Sequence, residues 1–211
     1  MRLPLFPLNA VLFPGGILPL RVFEARYMDM VRDCLRDDTT FGVCLIASGR
    51  EVGNTARPEL VGCEARIIAW DMPQLGVLHI RASGLNRFRV ISTRSQPDGL
   101  LVGEVDNLDP DADAPLAPEH APCAELLSRV IDDLDAQTAE RRRTGEAATD
   151  PATDAAIQRP YRMESSVWVG NRLCEVLPVP LKAKQKLMEL DDARTRLDII
   201  TQYLRQHAVL K

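Results

Sequence analysis

The chain opens on a stretch without charge, Leu3 to Leu20, that Pro4, Pro7, Pro14 and Pro19 interrupt. Each proline removes a backbone donor and disfavours helix in the residue before it. The stretch is apolar enough for a membrane span or the core of a signal peptide, but neither tolerates this many breaks. Arg2 alone would have to serve as the basic leader of a signal peptide. The segment is therefore expected to be extended, buried chain, with its prolines on strand edges where a missing donor is tolerated.

Beyond this opening the chain reads as β structure up to about residue 108. Phe41 to Ile46 is a short apolar run suited to a strand buried on both faces. Between Val61 and Ala69 the odd positions Val61, Cys63, Ala65, Ile67 and Ala69 are apolar, the period of a half-buried strand. Val77 to Ile91 alternates again, with Gly84 marking a bulge or bend, Phe88 and Val90 inward, and Arg87 and Arg89 outward. Leu100 to Val105 is a further strand. Turns are expected at Asp71-Met72-Pro73 and Pro97-Asp98-Gly99. Short strands punctuated in this way suggest a barrel or a sandwich. One helix interrupts them, over about 24–36, with Tyr27, Met30, Val31, Cys34 and Leu35 on its apolar face.

Asp106 to Pro118 carries Asp106, Asp109, Asp111 and Asp113 among prolines and reads as a solvated acidic connector. It separates a β region, 1–110, from a helical region, 118–211. In the latter, Cys123, Leu126, Leu127, Val130, Ile131 and Leu134 form one helical stripe. The polar stretch near 138–160 is expected to be a frayed helix end and a mobile linker. Ser165 is placed to cap a helix that Pro178 and Pro180 terminate, a short helix spans about 181–189, and Asp191 or Asp192 caps the last.

The composition removes several chemistries. Residues 1–181 contain no lysine, so the Gly-x4-Gly-Lys-Ser/Thr phosphate loop and its ATP hydrolysis are excluded, and a Ser-Lys dyad nearly so. There is no Gly-x-Ser-x-Gly elbow and no dinucleotide-binding glycine pattern. Five separated cysteines without a CxxC pair, and three separated histidines, point to reduced thiols in a cytoplasmic protein and to no metal site. No cofactor is expected. A net charge of −4 gives no field toward nucleic acid or anionic membrane.

Binding remains. Phe6, Phe13, Phe23, Tyr27 and Phe41 crowd the first 41 positions. Most are expected in the core, while a subset, Phe13, Phe23 and Tyr27, is the candidate lining of an apolar groove for extended or unfolded polypeptide. Sheet edges would add main-chain pairing to such a guest. Arg81, Arg87 and Arg89 are the candidate face for the alternative, RNA. They are more simply read as ion-pair partners, and Glu24 with Arg87 is the expected structural pair, stapling the helix start to the strand.

Several segments together resemble the N-terminal substrate-recognition domain of the ATP-dependent Lon protease, in particular bacterial proteins consisting of this domain alone. They are Leu3-Pro4-Leu5-Phe6-Pro7-Leu8, Val11-Leu12-Phe13-Pro14-Gly15, Leu18-Pro19-Leu20 and Val22-Phe23-Glu24-Ala25-Arg26-Tyr27. Phe41-Gly42-Val43, Gly49-Arg50-Glu51-Val52-Gly53, Val61-Gly62-Cys63-Glu64-Ala65 and Gly84-Leu85-Asn86-Arg87-Phe88-Arg89-Val90 come next in order. The helical half fits through Leu177-Pro178, Lys184-Gln185-Lys186-Leu187-Met188-Glu189 and Arg196-Leu197. The resemblance implies an α+β fold: a PUA-like β-barrel with one inserted helix, then a C-terminal α-helical bundle. It also implies recognition of unfolded or specific polypeptides without catalysis, by an adaptor or holdase, since Lon's ATPase and peptidase domains find no counterpart in these residues. A related domain occurs in cereblon-type ubiquitin-ligase receptors. PUA-like barrels often bind RNA, which is the source of the alternative reading.

Overall fold

The computed structural model describes residues 1–51, 56–144 and 157–210. Seven strands form one mixed sheet: β1 (Arg2–Leu8), β2 (Ile17–Val22), β3 (Phe41–Ser48), β4 (Arg57–Pro58), β5 (Val61–Gln74), β6 (Val77–Ser95) and β7 (Leu101–Asn107). Five α-helices accompany them among the described residues: α1 (Ala25–Asp37), α2 (Ala121–Thr144), α3 (Ser166–Val176), α4 (Leu181–Glu189) and α5 (Ala193–Gln206).

The proline-broken opening is β1. It pairs with β7 over Arg2–Leu5 and with β3 over Leu5–Leu8, so the two ladders meet only at Leu5. For most of its length β1 is bonded on one side, which accommodates the absent donors of Pro4 and Pro7. The hydrogen-bonded path β1-β7-β6-β5-β3 thereby comes back to β1, while β4 hangs on β3 and β2 on β6. β6 is the longest strand and takes partners on both sides: β2 and β5 first, then β5 and β7. At Gly84 the backbone meets the Pro14–Gly16 loop, with Gly15 N–H donating to Gly84 O and Gly84 N–H to Gly16 O, both at 2.8 Å. A Cβ on Gly84 would lie 2.3 Å from the Phe13 carbonyl oxygen, so only glycine permits this approach.

One buried cluster runs from Phe6, Phe13 and Tyr27 through Val61 and Ile80 to Leu127, Leu173, Leu197 and Ile200, drawing on strands and helices alike. A smaller one, around Leu3, Leu5, Phe88 and Val105, fills the space between β1, β6 and β7. The helix ends obey the sequence signals. Ser165 Oγ accepts from Trp168 N–H at 3.0 Å and Asp192 Oδ2 from Thr195 N–H at 2.7 Å.

Four expectations are corrected. The turn between β5 and β6 is Leu75-Gly76, not Asp71-Met72-Pro73, because β5 continues to Gln74. Leu35 stays 39% exposed at the edge of the α1 face. α2 continues to Thr144, past the expected fraying at 138; residues 145–156 of that stretch lie outside the described residues, and at its end Ile157 is buried rather than part of a solvated linker. The acidic connector is not simply solvated. Asp113 accepts from Ser165 Oγ (2.7 Å) and Arg162 (2.9 Å) at the start of α3, and Asp111 is buried. A carboxylate at a helix N-terminus complements the helix dipole, which fixes Asp113 there.

Candidate functional site

The outer end of the sheet is a three-strand ribbon, β2–β6–β5. Its rows are set by register: Leu18–Ala82–Ile67, Leu20–Ile80–Trp70, and Arg21–His79–Asp71. Beyond Ala65, the last β5 residue paired with β3, β5 has β6 as its only strand partner among the described residues. β2 likewise pairs only with β6 among them. Neither outer edge of the ribbon has a further strand partner among the described residues.

The open stretch of β5 is apolar where it faces water. Ile68, Trp70 and Met72 are 44%, 56% and 41% exposed, and Leu75 at the turn is 95% exposed. A shift in register between Ile67 and Ala69 gives β5 an extra residue at Ile68. The bulge changes which face the next positions present. Beside the ribbon's free end lies a groove of about 520 Å³ lined by Pro19, Leu20, Arg21, Pro73, Gln74, Val77 and His79.

The residues expected to bind do not gather here. Phe13 is fully buried and Tyr27 is 5% exposed, its ring stacked on Phe6 at 3.9 Å between centroids with the Arg26 guanidinium 4.8 Å from its own centroid. These two are core packing. Phe23 alone of the three is exposed, at 53%. The expected Glu24–Arg87 pair is replaced by two others. Glu24 takes Arg26 at 2.8 Å, and Arg26 donates to Gly99 O at 2.9 Å, so Arg26 is the staple between α1 and the β6–β7 turn. Arg87 turns inward to Asp111 and to the Met188 carbonyl. With Arg87 buried, the arginines of β6 do not present a common basic face.

The seam between strands and helices is filled by polar contacts. Arg196 binds Asp111 at 2.6 Å and Asn171 at 3.1 Å, completing a buried Arg87–Asp111–Arg196 bridge. Arg172, almost wholly buried, donates to the carbonyls of Pro14 and Gly15 and pairs with Glu175 at 2.9 Å. Gln185 donates to Val61 O at 2.9 Å, and Lys184 to Glu175 O at 2.6 Å. Burial pushes the Glu175 carboxyl up to about 7, against the pull of Arg172, a backbone hydrogen bond from Phe13, and Lys184. Burial also lowers Lys184 and Arg172. It raises Cys44 and Cys174 to about 12, so these thiols are inert. These side chains are committed to joining strands and helices, whereas the exposed apolar residues of the ribbon are not.

Among the described residues no cluster of His, Cys, Asp and Glu has the makings of a metal site, and no helix is long and apolar enough to cross a membrane. A second cleft, about 400 Å³ beside α1, is lined by charges of both signs, Arg2, Asp29, Asp33 and Asp98 among them. Asp29 and Asp33 already hold Arg32 and Arg36. The sequence does carry a signal for the ribbon. The apolar alternation on odd positions, Val61 to Ala69, is joined from Ile68 by apolar residues at even positions, Ile68, Trp70 and Met72, and two overlapping phases within a strand mark a bulge.

Residues 2–206 match the model of the ATP-dependent protease La (LON) substrate-binding domain. Lon protease 2 of Myxococcus xanthus is 26% identical over 215 residues, 99% of this chain and 24% of the protease. Protein cereblon of Gallus gallus is 32% identical over 107 residues, 49% of this chain and 23% of cereblon. The chain thus spans about a quarter of the length of these curated relatives. The crystal structure of a Lon N-terminal domain protein from Xanthomonas campestris superposes with a TM-score of 0.74 at 37% identity, covering 96% of this chain and 98% of that one. The N-terminal domain of a Mycobacterium avium complex Lon protease shares the fold at 14% identity, with a TM-score of 0.60. With a match that runs nearly from end to end, the chain belongs to the LON substrate-binding domain family.

Proposed function

We propose that the chain is a polypeptide-recognition module that takes extended, apolar segments on the β2–β6–β5 ribbon. The observation that carries this reading is the run of Ile68, Trp70 and Met72, all exposed on a strand that β6 alone pairs there among the described residues, continued by the exposed Leu75 at the turn. Apolar surface gathered on one element marks a contact site. The edge of that strand away from β6 offers backbone groups that another extended chain satisfies in series. The return of the strand path to β1 supports the PUA-like barrel as the platform, with α2 to α5 as the helical part that braces it.

In this reading the module contributes recognition, as an adaptor or holdase in the cytoplasm, and any hydrolysis belongs to other polypeptides or domains. The regions 1–110 and 118–211 act as one unit, because the buried seam joins them. The test is fluorescence anisotropy with a labelled, permanently unfolded carboxymethylated polypeptide. Saturable binding that the Trp70→Ser/Leu75→Ser double variant loses, with circular dichroism unchanged, is expected. Absence of binding, or binding indifferent to the double variant, overturns the reading.

A further inference from the structure

The groove at the free end of the ribbon differs from the apolar run beside it, because it carries charge of one sign. Pro19, Leu20 and Val77 form its apolar wall, with Arg21 and His79 alongside; among the described residues no carboxylate lines it. Arg21 is exposed and stands opposite His79 in the β2–β6 register. Asp71 lies one strand further on, beyond His79, and its Oδ1 accepts the Met72 N–H at 2.8 Å.

β2 runs past this groove with no strand partner on its outer edge among the described residues, and its successive side chains point to opposite faces. Leu20 faces the side shared with Ile80, and Arg21 the other side. An extended guest laid along that edge alternates in the same way. We propose that the groove selects an apolar residue followed or preceded directly by an acidic one: the apolar side chain seats beside Leu20, and its Asp or Glu neighbour meets the Arg21 guanidinium on the side that Val77 and His79 share. The inference rests on the polypeptide-binding reading above and names the class of segment bound.

The chemistry favours this pairing. A guanidinium offers parallel N–H donors that match a carboxylate. The apolar wall lowers the local dielectric and strengthens the attraction. A Lys or Arg at the same position of the guest is repelled, so the site discriminates by rejection as well as by attraction. The apolar run on β5 tolerates any hydrophobic sequence, whereas one fixed charge at the β2 edge gives the guest a register.

The test uses the full chain and three labelled peptides of one alternating apolar sequence, differing at a single position: Asp, Asn or Lys. The Asp peptide is expected to bind about three- to fivefold more tightly than the Asn peptide, the range of a partly exposed ion pair. The preference vanishes in Arg21→Gln, turns to the Lys peptide in Arg21→Glu, and shrinks as salt rises from about 0.05 to about 0.5 M. Equal binding of all three peptides to the wild type, or a preference that survives Arg21→Gln, overturns this inference and leaves the polypeptide-binding reading standing. If none of the three binds and Trp70→Ser changes nothing, both fall.

Discussion

Arg87 of β6 and Arg196 of α5 hold the same carboxylate, that of Asp111, and all three side chains are at most 4% exposed. Two cations share one buried anion, so positive charge is in excess around it, and the exposed Asp191, 3.8 Å from Arg87, offsets only part of that charge. Arg87 disperses it by donating to the Met188 carbonyl, and Arg196 to the carbonyls of Leu187 (2.9 Å) and Leu190 (2.8 Å). Removing the anion would leave two arginines buried without it. Asp111→Ala is therefore expected to lower unfolding free energy by about 3–5 kcal/mol, the range for breaking a buried pair from one side. Urea denaturation measures it; a loss below about 1 kcal/mol would show that the bridge contributes little.

Because the seam joins strands to helices, unfolding should be a single event. Far-ultraviolet dichroism, dominated by the helices, and hydrogen-exchange protection of the β6 amides at Ile80 and Phe88 are expected to be lost at one urea midpoint. Two separated midpoints would mean that the regions fold independently.

Glu175 predicts how stability depends on pH. Its folded-state value of about 7 lies above the ordinary 4.5, so the folded chain holds this proton more firmly than the unfolded one. That contribution is complete below about pH 4.5 and is lost as the pH rises to about 7, each unit of displacement being worth about 1.4 kcal/mol. Glu175→Gln cannot titrate. The difference in urea midpoint between wild type and this variant should move against the wild type from about pH 5 to about pH 7.5. A constant difference across that range would contradict the assignment.

Two glycines separate sterics from conformation. Gly84→Ala drives a methyl group to 2.3 Å from the Phe13 carbonyl oxygen and 3.1 Å from Leu12, and should destabilise by about 1–3 kcal/mol as an overpacked site. Gly76 has open space around it but a φ of +84°, so Gly76→Ala is expected to lose only about 1 kcal/mol through backbone strain. Equal losses for the two would refute the close approach at Gly84.

Trp70 should behave as a surface residue for stability and as an anchor for binding. Trp70→Ser is expected to shift stability by no more than about 0.5 kcal/mol, as substitutions away from the core do. Binding of an unfolded polypeptide should weaken severalfold in the same variant. A large drop in thermal midpoint would make Trp70 a packing residue instead.

The parts of this fold that depend on near neighbours were legible in the amino-acid order. Ser165 and Asp192 cap helices within three residues of themselves, and prolines at 178 and 180 stop α3 where they must. The partners of Arg87 were not. Asp111 sits 24 residues away in a segment that reads as solvent-facing, and Met188 sits 101 away; no spacing rule links them. Phe13 and Tyr27 illustrate another limit, since an aromatic residue in a core and one in a groove have the same local sequence pattern. The ribbon lay between these cases. Its phase change at Ile68 is visible, but a turn signal at Asp71-Met72-Pro73 overrides it until the position of Leu75-Gly76 is known.

The length of β6 has a mechanical consequence. One strand runs without interruption from the exposed hairpin, past Arg87 in the seam, to Ser95 beside β7. A polypeptide gripped at the hairpin and pulled along the strand axis would load the flanking ladders in shear. Under shear many hydrogen bonds share the load at once, whereas peeling from an edge breaks them one at a time. Tension applied at the ribbon is thus carried lengthwise to the Arg87–Asp111–Arg196 bridge, which anchors the strand to the helices. A load along that axis is therefore resisted more strongly than one that peels an edge.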